Sequence, residues 1–233
     1  MISSPEILFR RKLVVQIAGV HDENEARMLA GCGVDLIGFP LSVGRSTDDA
    51  DEKTAQGIFR GIRPPLFGVV ITYMGKADEV AALCGAVGAP AVQLHGEFRV
   101  EELRRLREIS PGLLIVKTLA VHGADFESLA REMDRIAPLV GAFVTDTFDE
   151  ATGRWGATGR THDWSVSRRL VERSTRPVIL AGGLTPDNVA RAIQEVRPAG
   201  VDAHTGVEDV RGRKDRVLVE RFVAEARRAF AAL

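Results

Sequence analysis

The sequence predicts an α/β protein, a single (β/α)8 barrel of the TIM class spanning residues 1–233. Three observations predict it. Short apolar, β-branched runs alternate with amphipathic stretches along the whole length. Several of those runs are apolar without interruption, as parallel strands buried on both faces must be. Eight strand–helix units of roughly 25–30 residues fill the chain, which suits a closed barrel of about 250 residues without a second domain. The rival architecture, a doubly wound open sheet, is disfavoured because no Gly-x-Gly-x-x-Gly fingerprint follows the first run.

The elements follow in order. The first strand covers residues 13–18 and leads to an amphipathic helix over 22–31. Gly33 comes soon after it, where a left-handed residue ends a helix. A strand over 34–39 precedes a helix over 48–61, and a strand over 66–72 precedes one over 76–85, with Gly88 just beyond. The fourth and fifth units pair strand 91–94 with helix 99–109 and strand 113–118 with helix 125–137. Strand 142–146 is followed by a long loop, 147–163, and a helix over 164–174 that Asp163 or Thr161 would cap and Trp164 would pack. Strand 177–181 leads to a helix over 186–196. Thr185-Pro186 marks its start, with Thr as the cap and Pro in the first helical position. Gly200 is placed to end that helix, strand 201–204 follows, and the last helix spans 214–231.

Composition narrows the function. Thirty-one basic against 32 acidic residues give a net charge of −1, so nothing global draws the chain to nucleic acid or an acidic membrane. No apolar run approaches the roughly 18 residues of a membrane span. Residues 1–12 carry charge without an apolar stretch behind it, unlike a secretory signal. Two cysteines, Cys32 and Cys84, make no disulfide framework; they read as small packing residues near helix ends. A soluble cytoplasmic protein is expected.

In a barrel the chemistry gathers at the C-terminal ends of the strands. Those ends carry Gln16-Ile17-Ala18-Gly19 with His21, Arg45 in the second loop, Gln93 and His95, Lys117, Asp146, Gly182-Gly183, and Asp202-Ala203-His204-Thr205-Gly206. Gly182, Gly183, Thr205 and Gly206 lie in the loops after the seventh and eighth strands. There, glycine backbones and a helix start can hold a phosphate, although tight turns alone explain glycine pairs as well. Asp146 is placed for general acid–base work or for fixing its loop. Arg45 can clamp a carboxylate with its planar fork or simply lie in a polar loop. Lys117 is an electrostatic group or a strand-end salt bridge. His95 contacts substrate or caps carbonyls. No Cys/His spacing makes a metal site. The basic run Arg211-Gly212-Arg213-Lys214 reads as a solvated loop.

The ordered pieces Gly38-Phe39, Val92-Gln93-Leu94-His95-Gly96, Gly156-Ala157-Thr158-Gly159 with Asp163-Trp164, Leu180 to Val189, and Gly206-Val207-Glu208 with Gly212, Lys214 and Asp215 resemble the phosphoribosylanthranilate isomerase family over nearly the whole chain. The resemblance implies an Amadori rearrangement in tryptophan biosynthesis: an acid opens an N-linked phosphoribosyl ring to a Schiff base, and a base then removes the C2 proton. It implies no metal and no organic cofactor. It gives Asp146 the acid's place, Arg45 the anthranilate carboxylate, Gly182, Gly183 and Gly206 the phosphate, and Asp202 a position lining the substrate. The family's first strand ends Lys-x-Cys-Gly, its cysteine being the base; here Gln16 and Ala18 stand in those places. Ser42-Val43-Gly44-Arg45 replaces Ser-Pro-Arg, and His204-Thr205 replaces Ser-Ser, a spread of changes that points to natural divergence. His204, beside the vacated position, is the candidate base, with His21 as fallback. The expected partner is a small phosphosugar, not nucleic acid or membrane, bound by a monomer or homodimer. The alternatives are a lyase or hydrolase acting on a related phosphosugar, and a catalytically silent phosphosugar-binding barrel.

Overall fold

The computed structural model describes residues 13–41, 51–121, 126–149, 154–155 and 161–233. The strands are β1 (Val14–Ala18), β2 (Leu36–Pro40), β3 (Phe67–Thr72), β4 (Ala91–Leu94), β5 (Leu114–Val121), β6 (Ala142–Asp149), β7 (Arg154–Trp155), β8 (Val178–Leu180) and β9 (Gly200–Ala203). They pair in the order β5-β4-β3-β2-β1-β9-β8-β6, and a β5–β6 ladder closes the ring. All eight barrel strands are parallel. β7 stands outside it, turned back antiparallel on the end of β6, with Phe148 opposite Trp155. The helices are α1 (Glu23–Gly31), α2 (Glu52–Gly61), α3 (Ala77–Val87), α4 (Val100–Ile109), α5 (Phe126–Ile136), α6 (Trp164–Arg173), α7 (Val189–Val196) and α8 (Arg216–Ala231), one after each barrel strand.

Aspartates start several of the helices. Asp22 accepts from the Asn24 and Glu25 amides, Asp51 from Thr54, Asp163 from Ser165 and Asp215 from Leu218, each meeting first-turn N–H groups that have no helical partner. Each helix turns an apolar stripe onto the outer face of the sheet. Leu29, Phe39, Leu103, Leu106, Phe143 and Phe222 disappear from solvent in this layer. Fully burying such a side chain contributes about 1.5–3 kcal/mol.

Inside the barrel the period-2 alternation sorts side chains by level. Val14, Leu36 and Phe67 plug the bottom. Val69, Ala91, Leu114, Val116, Ala142, Val144, Ile179 and Ala181 fill the middle. The same parity places Gln16, Gln93, Asp146 and Asp202, all buried, toward the strands' C-terminal ends.

Three expectations change. Gly200 does not end α7; Arg197 does, in a left-handed conformation at φ 53°. Gly200 instead opens β9, where a Cβ would stand 2.6 Å from the Val14 carbonyl, so its lack of a side chain lets β9 close against β1. Regular helix begins at Val189 rather than Pro186 and Asn188, not Thr185, is its N-cap; Thr185 closes the turn before it, its hydroxyl accepting from Asp187 N at 3.2 Å and its carbonyl from Val189 N at 3.0 Å. The run 211–214 is not a solvated loop. Lys214 is buried against Glu208, and Arg213, 39% exposed, bridges Asp22 and Glu25, while Arg211 lies in solvent. Glu208 neutralises Lys214, which is what makes its burial tolerable, and Arg213 is tied to carboxylates of the first helix and its cap.

Candidate active site

A chain of amides crosses the barrel mouth. Gln16 Nε2 on β1 donates to Gln93 Oε1 on β4 at 2.8 Å, and Gln93 Nε2 lies 2.8 Å from His95 Nε2. An amide nitrogen only donates, so His95 Nε2 accepts and the ring proton sits on Nδ1. That Nδ1 is buried with no partner among the described residues. Burial, then the charge of Lys117, holds the His95 pKa down at about 3, so the ring is a neutral donor. Among the described residues His95 caps no carbonyl. Lys117 does, giving Nζ to Gly96 O at 2.9 Å and Thr118 O at 2.7 Å, and burial lowers it to about 8.

Across the mouth stand two carboxyls. Asp146 Oδ1 accepts from Thr147 N at 2.7 Å, and burial raises the acid to about 6. Asp202 is raised well above the ordinary range, by burial first and then by the Asp146 charge; Lys214 and the Gln16 side chain oppose the shift. Its Oδ1 has no partner among the described residues. Thr118 Oγ1, at an inward-facing position of β5, is likewise buried and unpaired. These unsatisfied groups point to a polar ligand, since burying them unpaired costs about 1–3 kcal/mol each.

Above this layer lie the two glycine loops. Gly182 and Gly183 take φ 88° and 61°, where other residues are strained. A side chain at 182 would overlap the Thr147 hydroxyl, and one at 206 the Leu184 carbonyl. The strand-8 and strand-9 loops therefore touch through backbone. Among the described residues, no acceptor takes the N–H groups of Gly182, Gly183, Thr205 or Gly206. Asn188 braces the first loop, donating to Gly183 O and accepting from Thr185 N, both at 2.9 Å. Lys214 braces the second from below. Its Nζ stands 2.5 Å from Glu208 Oε1 and 3.2 Å from His204 O.

The histidines take different positions. His204 lays its ring over Gly19, next to Ala18, with Nε2 3.4 Å from Glu208 Oε1. Burial, Lys214, His21 and His95 together press its pKa to about 3. His21 is tied to Glu25, whose Oε2 accepts from its backbone N at 3.0 Å and sits 3.1 Å from its Nδ1. The other oxygen of Glu25 takes Lys214 N at 3.1 Å and lies 2.6 Å from Arg213 Nε. Arg45 lies outside the described residues. Sequence reasoning passed over Gln16 as a bonding group, and with it Glu25, Asn188 and Lys214. Only Asn188 and Lys214 left a signal, as members of the quoted motifs.

A barrel with two buried carboxyls and an amide-lined mouth beneath a backbone cradle defines the class: a (β/α)8 protein built to act on a small anionic ligand. Comparison with known proteins is specific. The sequence pattern of the family described as N-(5'phosphoribosyl)anthranilate (PRA) isomerase matches residues 15–225. N-(5'-phosphoribosyl)anthranilate isomerase 2 of Methanosarcina mazei is 39% identical, over 93% of this chain and 95% of its own. The crystal structure of phosphoribosyl anthranilate isomerase from Thermotoga maritima superposes with a TM-score of 0.78 at 29% identity, covering 92% of this chain and 98% of that one. A phosphoribosyl anthranilate isomerase in complex with reduced 1-(o-carboxyphenylamino)-1-deoxyribulose 5-phosphate has a TM-score of 0.76 at 27% identity, with the same coverages. The chain belongs to the phosphoribosylanthranilate isomerase family.

Proposed function

We propose that this protein isomerises N-(5'-phosphoribosyl)anthranilate to the open-chain 1-deoxyribulose form, a step of tryptophan biosynthesis. The observation that carries this reading beyond family membership is the carboxyl layer at the base of the two glycine loops, whose backbone N–H groups meet no acceptor among the described residues. A phosphate held by Gly182, Gly183, Thr205 and Gly206 hangs its sugar over Asp146 and Asp202. Asp146, raised by burial, then serves as the acid on the furanose oxygen. Gln93 and the Nδ1–H of His95 orient the substrate, and Arg45 takes the anthranilate carboxylate. The base belongs among Asp202, His204 and His21. We further place the protein in the cytoplasm, as one barrel domain over residues 1–233 forming a monomer or homodimer. Its partner is a small phosphosugar rather than nucleic acid or membrane; among the described residues no helix is long and apolar enough to cross a membrane.

Ala18, which cannot accept a proton, favours a second reading, a lyase or hydrolase needing only the acid. The test is the purified protein with phosphoribosylanthranilate, followed by fluorescence, with the product identified by NMR. The 1-deoxyribulose product supports the isomerase. Release of anthranilate and a ribose phosphate replaces it with the second reading, and binding without turnover leaves a silent barrel.

A further inference from the structure

The thiol that the family uses as its base is missing, and the described residues around Ala18 offer three substitutes. His204 is a poor one. Its ring is crowded by Lys214, faces Glu208, and is held at a pKa of about 3, so an imidazolium there is disfavoured. His21 gives its Nδ1–H to Glu25, which leaves Nε2 as an acceptor, but it stands in the loop beyond β1, three residues past Ala18 and off the strand level that carries Asp146 and Asp202. Asp202 remains.

The strand register sets its geometry. Thr145 pairs with Leu180 and Leu180 with Val201, so Asp146, Ala181 and Asp202 occupy one level on three neighbouring strands; Gln16 extends that level onto β1. At about 4.8 Å per strand the two aspartate backbones stand about 10 Å apart. On the strand between them stands the methyl of Ala181, buried in the barrel interior. Two inward carboxyls separated by a small residue leave room for the reacting end of a sugar. In a furanose the ring oxygen and C2 are the two ring neighbours of C1, so an acid and a base must flank C1. Asp146 lies on one side of that gap. Asp202 lies on the other, toward β1, level with Gln16 and one inward-facing layer below Ala18, where the missing thiol would stand.

We propose that Asp202 replaces the absent cysteine as the general base, working with Asp146 as a carboxyl pair that holds one proton. This assignment rests on the isomerase reading. Asp146 gives its proton to the ring oxygen, the C1–O electron pair leaves with that oxygen, and the anthranilate nitrogen lone pair forms the C1=N bond. Asp202 then takes the proton from C2. The C2–H pair becomes the C1=C2 bond and the imine pair returns to nitrogen. The enol hydroxyl gives up its proton and C1 gains one, which yields the ketone with no redox partner. The two steps reinforce each other. Once Asp146 has delivered its proton, its new negative charge lies beside Asp202 and makes it a stronger base. Burial and the Asp146 charge hold the Asp202 carboxyl well above the ordinary range against the pull of Lys214 and the Gln16 side chain, so the pair's one proton passes from Asp202 to Asp146 as the sugar binds, before the acid step. The unpaired Oδ1 of Asp202 is the atom available to C2.

The experiment compares wild type with Asp202→Asn, Asp146→Asn, and each combined with Ala18→Cys, which restores the family's thiol. It reads kcat, exchange of the substrate C2 proton with solvent, and affinity for reduced 1-(o-carboxyphenylamino)-1-deoxyribulose 5-phosphate. Asp202→Asn should lower kcat and C2 exchange by about 10²–10⁴-fold, the scale of one acid–base group, and change analogue affinity by less than about tenfold. Ala18→Cys should recover at least about tenfold of kcat in Asp202→Asn and none in Asp146→Asn. An active wild type whose Asp202→Asn form exchanges C2 at the wild-type rate overturns the base assignment alone. So does an Asp202→Asn form that loses analogue binding as steeply as kcat and gains nothing from the thiol. A wild type that turns over no phosphoribosylanthranilate overturns the isomerase reading, and the assignment with it.

Discussion

Replacing Lys214 by Met tests how the phosphate loop is held. The Lys214 side chain is wholly buried and bridges two parts of the loop after β9: the Glu208 carboxylate at 2.5 Å and the His204 carbonyl at 3.2 Å. Methionine keeps the length and the apolar stem and deletes only the ammonium. Glu208, itself 12% exposed, then loses its main counter-charge. Breaking a buried pair in this way costs about 3–5 kcal/mol, against at most about 1 kcal/mol for a surface pair. For a chain of this size that is a fall of about 6–20 °C in Tm. Urea unfolding of wild type, Lys214→Met, Glu208→Gln and the double variant measures it. The double variant should be less damaged than the sum of the singles, with a coupling of about 0.5–3 kcal/mol. A loss below about 1 kcal/mol in Lys214→Met would refute the reasoning, because the pair would then be behaving as if solvated.

Gly206→Ala should weaken binding of inorganic phosphate by about tenfold or more while the protein stays folded, because its methyl collides with the Leu184 carbonyl and parts the two glycine loops; calorimetric titration reads this, and an unchanged affinity would move the phosphate elsewhere. At pH 8 a thiol reagent should modify the half-buried Cys32 well before Cys84, whose thiol burial pushes up to about 12, and equal labelling rates in the native protein would contradict that placement.

The barrel was legible because burial on both faces writes itself into a strand as an unbroken apolar run, and helices between such runs write a 3.6-residue stripe. The residues that escaped did so for one physical reason: their roles depend on partners far away in sequence. Nothing near Lys214 says that Glu25, on the first helix, receives its backbone N–H. Nothing near Gln16 says that Gln93 stands across the barrel to accept from it. Gly200 misled for the same reason, its requirement being the closeness of Val14 and not the helix before it. The 147–163 loop was read as irregular because a two-residue return strand is too short to leave a periodic trace. The tight turn at Gly182 and Gly183 and the strand position of Asp146 were legible since these are local properties.

The closing ladder between β1 and β9 has a bearing on how the chain comes to life on the ribosome. β1 emerges first, yet one whole edge of it has no neighbour until Gly200–Ala203 has been made. Arg227 of α8 then reaches back to the Leu13 and Gly33 carbonyls and to Asp35, fastening the start of the chain with its last helix. Until β9 is made, the nascent sheet is an open ribbon with a bare flank, the kind of surface on which strands of other chains can dock. The carboxyl layer is completed by the same late event, because Asp202 lies on the strand that shuts the ring. The barrel therefore gains its protected edge and its carboxyl layer together, when β9 is laid against β1.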